Sequence, residues 1–462
     1  MKRVTKLMVV VMMVISMVVS LQAKVDKGAE KIVSKDVKFT VVGDFILKPD
    51  GTLWAVGNNK NGRLSKEVKS ETITNPIQIM TDVAFIGGKG YEEKGARNPF
   101  REAYILKQDG TLYLFGEVLE KVMDKVSVVD DYFIVDQAGK VYAWGYAQES
   151  EVLQESLGVS LSENINYCFW NKPEEIKGLT NVKQIAYEFD EIPTSSGRFV
   201  STRAKTLLVL KKDGTLEGKY DITGCDNNSH ITNGNIIKEI MKDVKSIECV
   251  GAVNMVVKND NSLWGWGDTS YGAFGGGINQ SISEPTKLLD NVKVVQASSM
   301  INLAVTNNGD LYTWGMNQFT DFSQDEGKFY KFPNGGNLDV QTTNGFYFVA
   351  LKKDGRVWMY GEDPASEATE HYDEDGNYVK NSEVHIGGFG TEKGDHNIGS
   401  YGYKSAYPFK QAVAIAVEKR DGIATYALDK QGNVWVWGTK FKLNDGKKNA
   451  STRRPFILIE NK

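Results

Sequence analysis

The side chains best suited to metal binding or nucleophilic chemistry are few in this 462-residue sequence, and their spacing fits neither. Cys168, Cys225 and Cys249 lack metal-ligand spacing and allow one disulfide at most, with the pairing of Cys225 and Cys249 left open. His230, His371, His385 and His396 are the only histidines, and the last three lie eleven or more residues apart, too far for a local zinc motif. Asp373, Asp375 and Asn377 alternate as in a calcium loop, but Gly376 comes too early and no acid stands at the twelfth position, so Asp375-Gly376 reads as a hairpin turn. Gly272, Gly275, Gly276 and Gly277 lack the Lys-Ser/Thr and the following helix of a phosphate loop. No catalytic residue, metal ligand or cofactor is expected. What stands out instead is a set of aromatic and arginine side chains suited to recognition: Phe100, Arg101, Phe169, Trp170, Arg198, Phe199, Tyr271 and Phe274. A competing role for Phe169 and Trp170 is to pin their own loop to the scaffold.

A repeat must position these residues. The stretches KPDGTLWAVG, KQDGTLYLFG, DQAGKVYAWG, NNGDLYTWG, KKDGRVWMYG and DKQGNVWVWG share a turn, a Leu or Val, an aromatic and a closing glycine. Their glycines lie six apart, at Gly51/Gly57, Gly110/Gly116, Gly139/Gly145, Gly309/Gly315, Gly355/Gly361 and Gly432/Gly438. A further copy puts Asn261 in the turn and ends at Gly267, and another begins at Lys211 and then loses its aromatics. Alternating apolar residues around a glycine turn read as a hairpin. A recurrent strand precedes most of the hairpins (DVKFTVVG, DVAFIGG, NVKQIAY, DVKSIEC, NVKVVQA), and a Pro-led strand follows several (NPIQIM, KPEEIK, EPTKLL, RRPFILI). Each unit is therefore a four-stranded antiparallel meander, a to d, with the glycine turn joining b to c. Sheets apolar on both faces and lacking helices pack against one another, and closing them radially protects their edges, so the fold class is an all-β propeller of eight units, with seven blades the alternative. Tryptophans in the frame are expected to fill the blade-to-blade core. In the Lys211 unit, Glu217 and Lys219 stand where other units place aromatics, which predicts an exposed strand or a slipped register.

Strand parity sorts the loops. The b–c and d–a turns are short and emerge at one end, whereas the long insertions, a–b at 88–103 and 187–205 and c–d at 145–172 and about 362–408, emerge at the other. Long loops on a rigid scaffold carry function, so this end is the expected binding face.

Residues 1–23 combine a basic start, an apolar run and a small residue at Ala23, which reads as a secretory signal peptide followed by a single propeller domain, 24–462. Removing Lys2, Arg3 and Lys6 takes the formal charge from −4 to −7, which argues against a nucleic-acid partner. The expected product is secreted, extracellular or cell-surface associated, monomeric, and free of the membrane once cleaved.

The frame and the stretch WGDTSYGAFGGGINQSISEPTKLL resemble the regulator of chromosome condensation repeat, with its Asp-Gly turn, aromatic-x-Trp-Gly end, glycine-rich loop and following proline. The resemblance implies a propeller that binds proteins, in a family that includes a secreted β-lactamase inhibitory protein; no residue-level match carries that inhibitor's contacts to this chain. Nucleotide exchange on a small GTPase, the role of the family's nuclear member, conflicts with export and acidity. The expected function is thus a non-catalytic, secreted module binding a protein or cell-surface macromolecule. The alternative is a glycan-active extracellular enzyme, which would need two carboxylates ~5–10 Å apart among many candidates.

Overall fold

The computed structural model describes residues 37–88, 101–145, 170–220, 238–315, 329–361 and 411–461 apart from short gaps, together with 370–372 and 378–380. Its strands form eight antiparallel sheets of consecutive strands and one small ribbon. Blade 1 comprises Thr40–Val42, Phe45–Leu47, Leu53–Asn58 and Thr72–Met80; blade 2, Val83–Gly87, Arg101–Lys107, Leu112–Gly116 and Glu120–Met123; blade 3, Val126–Val129, Phe133–Asp136, Val141–Gly145 and Trp170–Glu175. Blade 4 runs Val182–Pro193, Phe199–Lys211, Leu216–Tyr220 and Lys238–Met241; blade 5, Val244–Val250, Val253–Lys258, Leu263–Gly267 and Ile282–Leu289; blade 6, Val292–Gln296, Ile301–Thr306, Leu311–Gly315 and Tyr330–Lys331. Three strands of blade 7 are described, Asn337–Thr342, Tyr347–Lys352 and Val357–Gly361, and blade 8 closes the series with Ala412–Glu418, Ala424–Asp429, Val434–Phe441 and Ala450–Ile459. The protein is an eight-bladed β-propeller, and the seven-bladed alternative falls away.

The b–c turns account for the glycine spacing. Gly51, Gly110, Gly139, Gly214, Asn261, Gly309, Gly355 and Gly432 all have φ between +64° and +87°, a region glycine enters freely and asparagine tolerates. Space matters as well, since a Cβ at Gly139 would lie 2.7 Å from the Val182 nitrogen. That contact exists because each turn is docked on the next blade. The Gly51 carbonyl accepts a hydrogen bond from the Val83 N–H (2.9 Å), Gly110 from Val126 (2.8 Å), Gly139 from Val182 (2.9 Å), Gly214 from Val244 (2.9 Å), Asn261 from Val292 (2.7 Å), Gly309 from Asn337 (2.9 Å) and Gly355 from Ala412 (3.0 Å). The b–c and d–a turns therefore meet at one end of the ring, as strand parity requires.

Apolar clusters fill every junction between neighbouring blades. Phe133, Ile185 and Val209 join blades 3 and 4, Trp266 packs with Leu208 and Val244 between blades 4 and 5, and Trp314 with Met255 and Val292 between 5 and 6. The ring closes where Phe39, Val41 and Ile46 of blade 1 meet Tyr426, Leu428 and Val434 of blade 8. The second tryptophan of each frame is buried (Trp144, Trp266, Trp314 and Trp437), and the first, nearer the turn, is half-buried.

Candidate recognition face

The end opposite the glycine turns is defined by the closing glycines and the residues paired with them. Arg101 pairs with Gly116 in blade 2, Trp170 with Gly145 in blade 3, and Phe199 with Pro193 in blade 4. The backbones of Arg101, Trp170 and Phe199 thus stand at one end of three consecutive blades. Phe100, Phe169, Arg198 and Tyr271 lie outside the described residues.

Blade 4 carries an arm at this end. Its a and b strands pair from Val182 with Lys211 through to Pro193 with Phe199, whereas the described part of the c strand reaches Tyr220, opposite Thr206. The stretch of b beyond that point, Phe199 to Lys205, extends as a two-stranded ribbon about 20 Å past the sheet at ~3.3 Å per residue. A second ribbon, Glu370–Tyr372 with Tyr378–Lys380, belongs to the c–d insertion of blade 7. It brackets Asp375-Gly376, in keeping with the hairpin reading; the turn residues themselves lie outside the described residues.

Phe274 requires a correction. Far from being available to a partner, it is fully buried, packing with Val253, Met255 and Trp314 beneath the glycine-rich loop. The Ala273 carbonyl accepts hydrogen bonds from Trp314 Nε1 (2.8 Å) and Asn302 Nδ2 (3.2 Å), so the loop straps blade 5 to blade 6. Leu64 plays the same part in blade 1, 3% exposed in its own cluster. Both residues follow their closing glycine, Gly57 or Gly267, by seven positions, a spacing visible in the sequence.

A second correction concerns Glu217. Its pairing with the b strand is regular, Glu217 opposite Val209 and Lys219 opposite Leu207. Its pairing with the d strand shifts between Leu216 and Glu217, as at the matching place in blades 1, 2, 5 and 8, and Glu217, 33% exposed, forms an ion pair with Lys211 at 3.1 Å. The ion pair replaces a contact made elsewhere by the same two positions of the repeat. Lys48 lies over the Trp54 ring (5.8 Å), Lys258 over Trp264 (5.6 Å) and Lys352 over Trp358 (5.6 Å). Where the first position is acidic the partner donates instead: Trp435 Nε1 to Asp429 Oδ2 at 2.8 Å and the Tyr142 hydroxyl to Asp136 Oδ2 at 3.3 Å. Cation and ring, cation and carboxylate, or indole N–H and carboxylate each satisfy the pair, so an acid enters blade 4 without slipping the strand.

The turn acids are committed locally. Asp213 is held below its usual pKa by hydrogen bonds from Thr215, and Asp260 likewise by the Ser262 hydroxyl and N–H. Asp354 is lowered mainly by its hydrogen bond with Arg356.

No family model and no curated protein matches the chain. The solved structures similar to it are of low identity. Human WBSCR16 is 14% identical, with 80% of this chain and 88% of that one covered and a TM-score of 0.44. Prp20p of Saccharomyces cerevisiae, studied with Gsp1p and histones, is 12% identical over 84% and 92% at a TM-score of 0.46. The computationally designed Ika8 protein is 11% identical over 88% and 99% at 0.39. The fold assignment rests on the chain's own sheets and repeats.

Proposed function

We propose that this chain is an exported, monomeric, non-catalytic binding propeller that recognises a protein or cell-surface macromolecule through its a–b and c–d end. The observation that carries the reading is the blade 4 arm, whose a–b pairing continues past the last described c-strand pair, at the end where the strands of Trp170 and Arg101 begin. A ribbon that reaches past the described c strand offers surface for contact with a partner. Aromatic and arginine side chains such as Trp170, Phe199 and Arg101 are of the types that dominate binding energy. Removal of residues 1–23 and the resulting negative charge fit export and a partner other than nucleic acid.

The test replaces Phe189–Ala204 by a two-residue Asn-Gly turn and compares the shortened and full chains in capture from host-surface, cell-wall and secreted-protein extracts, followed by affinity measurement on the purified partner. The shortened chain is expected to melt within about 2 °C of the full chain, since the arm adds little to the core, and to lose at least about tenfold in affinity. Equal affinity would remove the arm from the interface.

A further inference from the structure

The opposite end of the ring carries a second feature, independent of the recognition face. At the junctions of blades 1 and 2, 4 and 5, 6 and 7, 7 and 8, and 8 and 1 the a strands touch, which places them innermost in the ring. In blades 2 to 8 the second residue of the a strand is skipped by the a–b pairing: register jumps from Val83 to Phe85, Val126 to Val128, Val182 to Gln184, Val244 to Ser246, Val292 to Val294, Asn337 to Asp339 and Ala412 to Ala414. A bulge at one fixed level re-aims the skipped side chain, here at the turn end of the axis. The residues so placed in blades 4, 5 and 6 are Lys183, Lys245 and Lys293, all exposed, and Lys38 holds the same place in the Asp-Val-Lys run that opens blade 1.

The lysines are tethered along the ring. Lys183 Nζ donates to the Lys245 carbonyl (2.6 Å), Lys293 Nζ to the Leu338 carbonyl (3.0 Å), and Lys245 Nζ to Asn261 Oδ1 (3.4 Å). Each bond uses one of an ammonium's three donors. The matching position holds Ala84 and Ser127 in blades 2 and 3, and Leu338 and the exposed Val413 in blades 7 and 8. Of the nearby acids, Asp213 and Asp260 are bonded within their own turns, Asp354 is paired with Arg356 at 2.6 Å, and Asp339, on the blade 7 a strand, lies under the influence of Lys38 and Lys293.

We propose that the turn-end mouth of the central channel binds an oligophosphate-type anion on Lys183, Lys245 and Lys293, with Lys38 contributing from across the ring. An arc of exposed ammonium groups on three adjacent blades offers donors that phosphate oxygens match through charge-assisted hydrogen bonds.

The test uses the full chain and inorganic tripolyphosphate, by calorimetry and thermal shift at low and physiological salt. Lys183→Gln/Lys245→Gln/Lys293→Gln is compared with Lys66→Gln/Lys69→Gln/Lys177→Gln, three exposed lysines elsewhere. The expected result is saturable binding that weakens with salt, reduced about tenfold or more by the first triple variant and unchanged in the second. Single Lys245→Gln, whose ammonium makes its bond within its own blade, should weaken binding a few fold and supplies the answer if the triple variant does not fold. Absence of binding at about 5 mM ligand, or equal loss in both triple variants, would overturn the proposal.

Discussion

Asp429 shows how much a single repeat position can carry. Its carboxylate accepts hydrogen bonds from Trp435 Nε1, Asn433 Nδ2 and the N–H groups of Gln431 and Asn433. Burial alone would raise its pKa, but these donors outweigh it and the group is held below the usual carboxylate value. A lowered folded-state pKa gives stability that is present above the unfolded value near 4 and lost as pH falls through the folded one. Asp429→Ala is therefore expected to cost about 1–3 kcal/mol at pH 7, with the gap from the parent protein narrowing below about pH 4; denaturant unfolding across pH measures it. A gap that widened in acid would contradict the assignment. Phe274→Ala should cost about 3–5 kcal/mol in the same assay while leaving partner affinity unchanged. Local sequence points the wrong way for this residue because a glycine-rich loop suggests exposure. The seven-residue offset that Leu64 and Phe274 share is the better signal, and it outweighs local composition since it reflects the same plug in two blades. The exchange of aromatic for Glu217 is legible in the sequence only as a conflict, because its resolution by Lys211 depends on a contact across the turn.

At the scale of elements, the glycine turns and their spacing are legible because a left-handed turn and a close approach leave few alternatives. Gly139 and Gly178 separate the two demands. Both have positive φ, +83° and +91°, yet a Cβ at Gly139 would meet the backbone of Asn181 and Val182 within 2.9 Å, while nothing lies within 4 Å at Gly178. Gly178→Ala should cost about 1 kcal/mol from backbone strain alone, and Gly139→Ala several times that, because relieving the clash means moving blade 4 away from the turn. Equal costs would show that the turn tolerates displacement of its neighbour. The a-strand bulges have no sequence signal of their own, since the skipped residue is Lys, Ala, Ser, Leu or Val in different blades. The length of the blade 4 arm is hidden for a related reason: the run YEFDEIPTSSGRFVSTRAK lacks the alternation of a core strand.

For the whole molecule, the junction of blades 8 and 1 differs from the other seven. Elsewhere the chain runs from each blade into the next, whereas blade 1 comes from the stretch 40–80 and blade 8 from 412–459, so this join has no chain connection across it. Where the Gly355 turn bonds to Ala412 of the next blade, the Gly432 turn meets Asn461, whose Nδ2 donates to the Gln431 carbonyl (2.8 Å) and whose N–H donates to Asn433 Oδ1 (2.8 Å). Side-chain packing of Phe39, Val41, Tyr426 and Val434 holds the seam. Tyr426→Ala is expected to cost about 3–5 kcal/mol and to speed amide exchange in the Thr40–Val42 and Ala424–Asp429 strands before the interior blades respond. Uniform acceleration around the ring would mean that the seam is no weaker than its neighbours.

The central claim, that a rigid ring presents one end to a partner, is tested most directly by hydrogen–deuterium exchange of the full chain with and without the captured macromolecule. The account predicts new protection concentrated in the blade 4 arm at 189–204 and at the starts of the strands headed by Arg101 and Trp170, with the b–c turns unchanged. Protection confined to the turns around Gly51, Gly110, Gly214 and Gly355 would place the partner on the wrong end and contradict it.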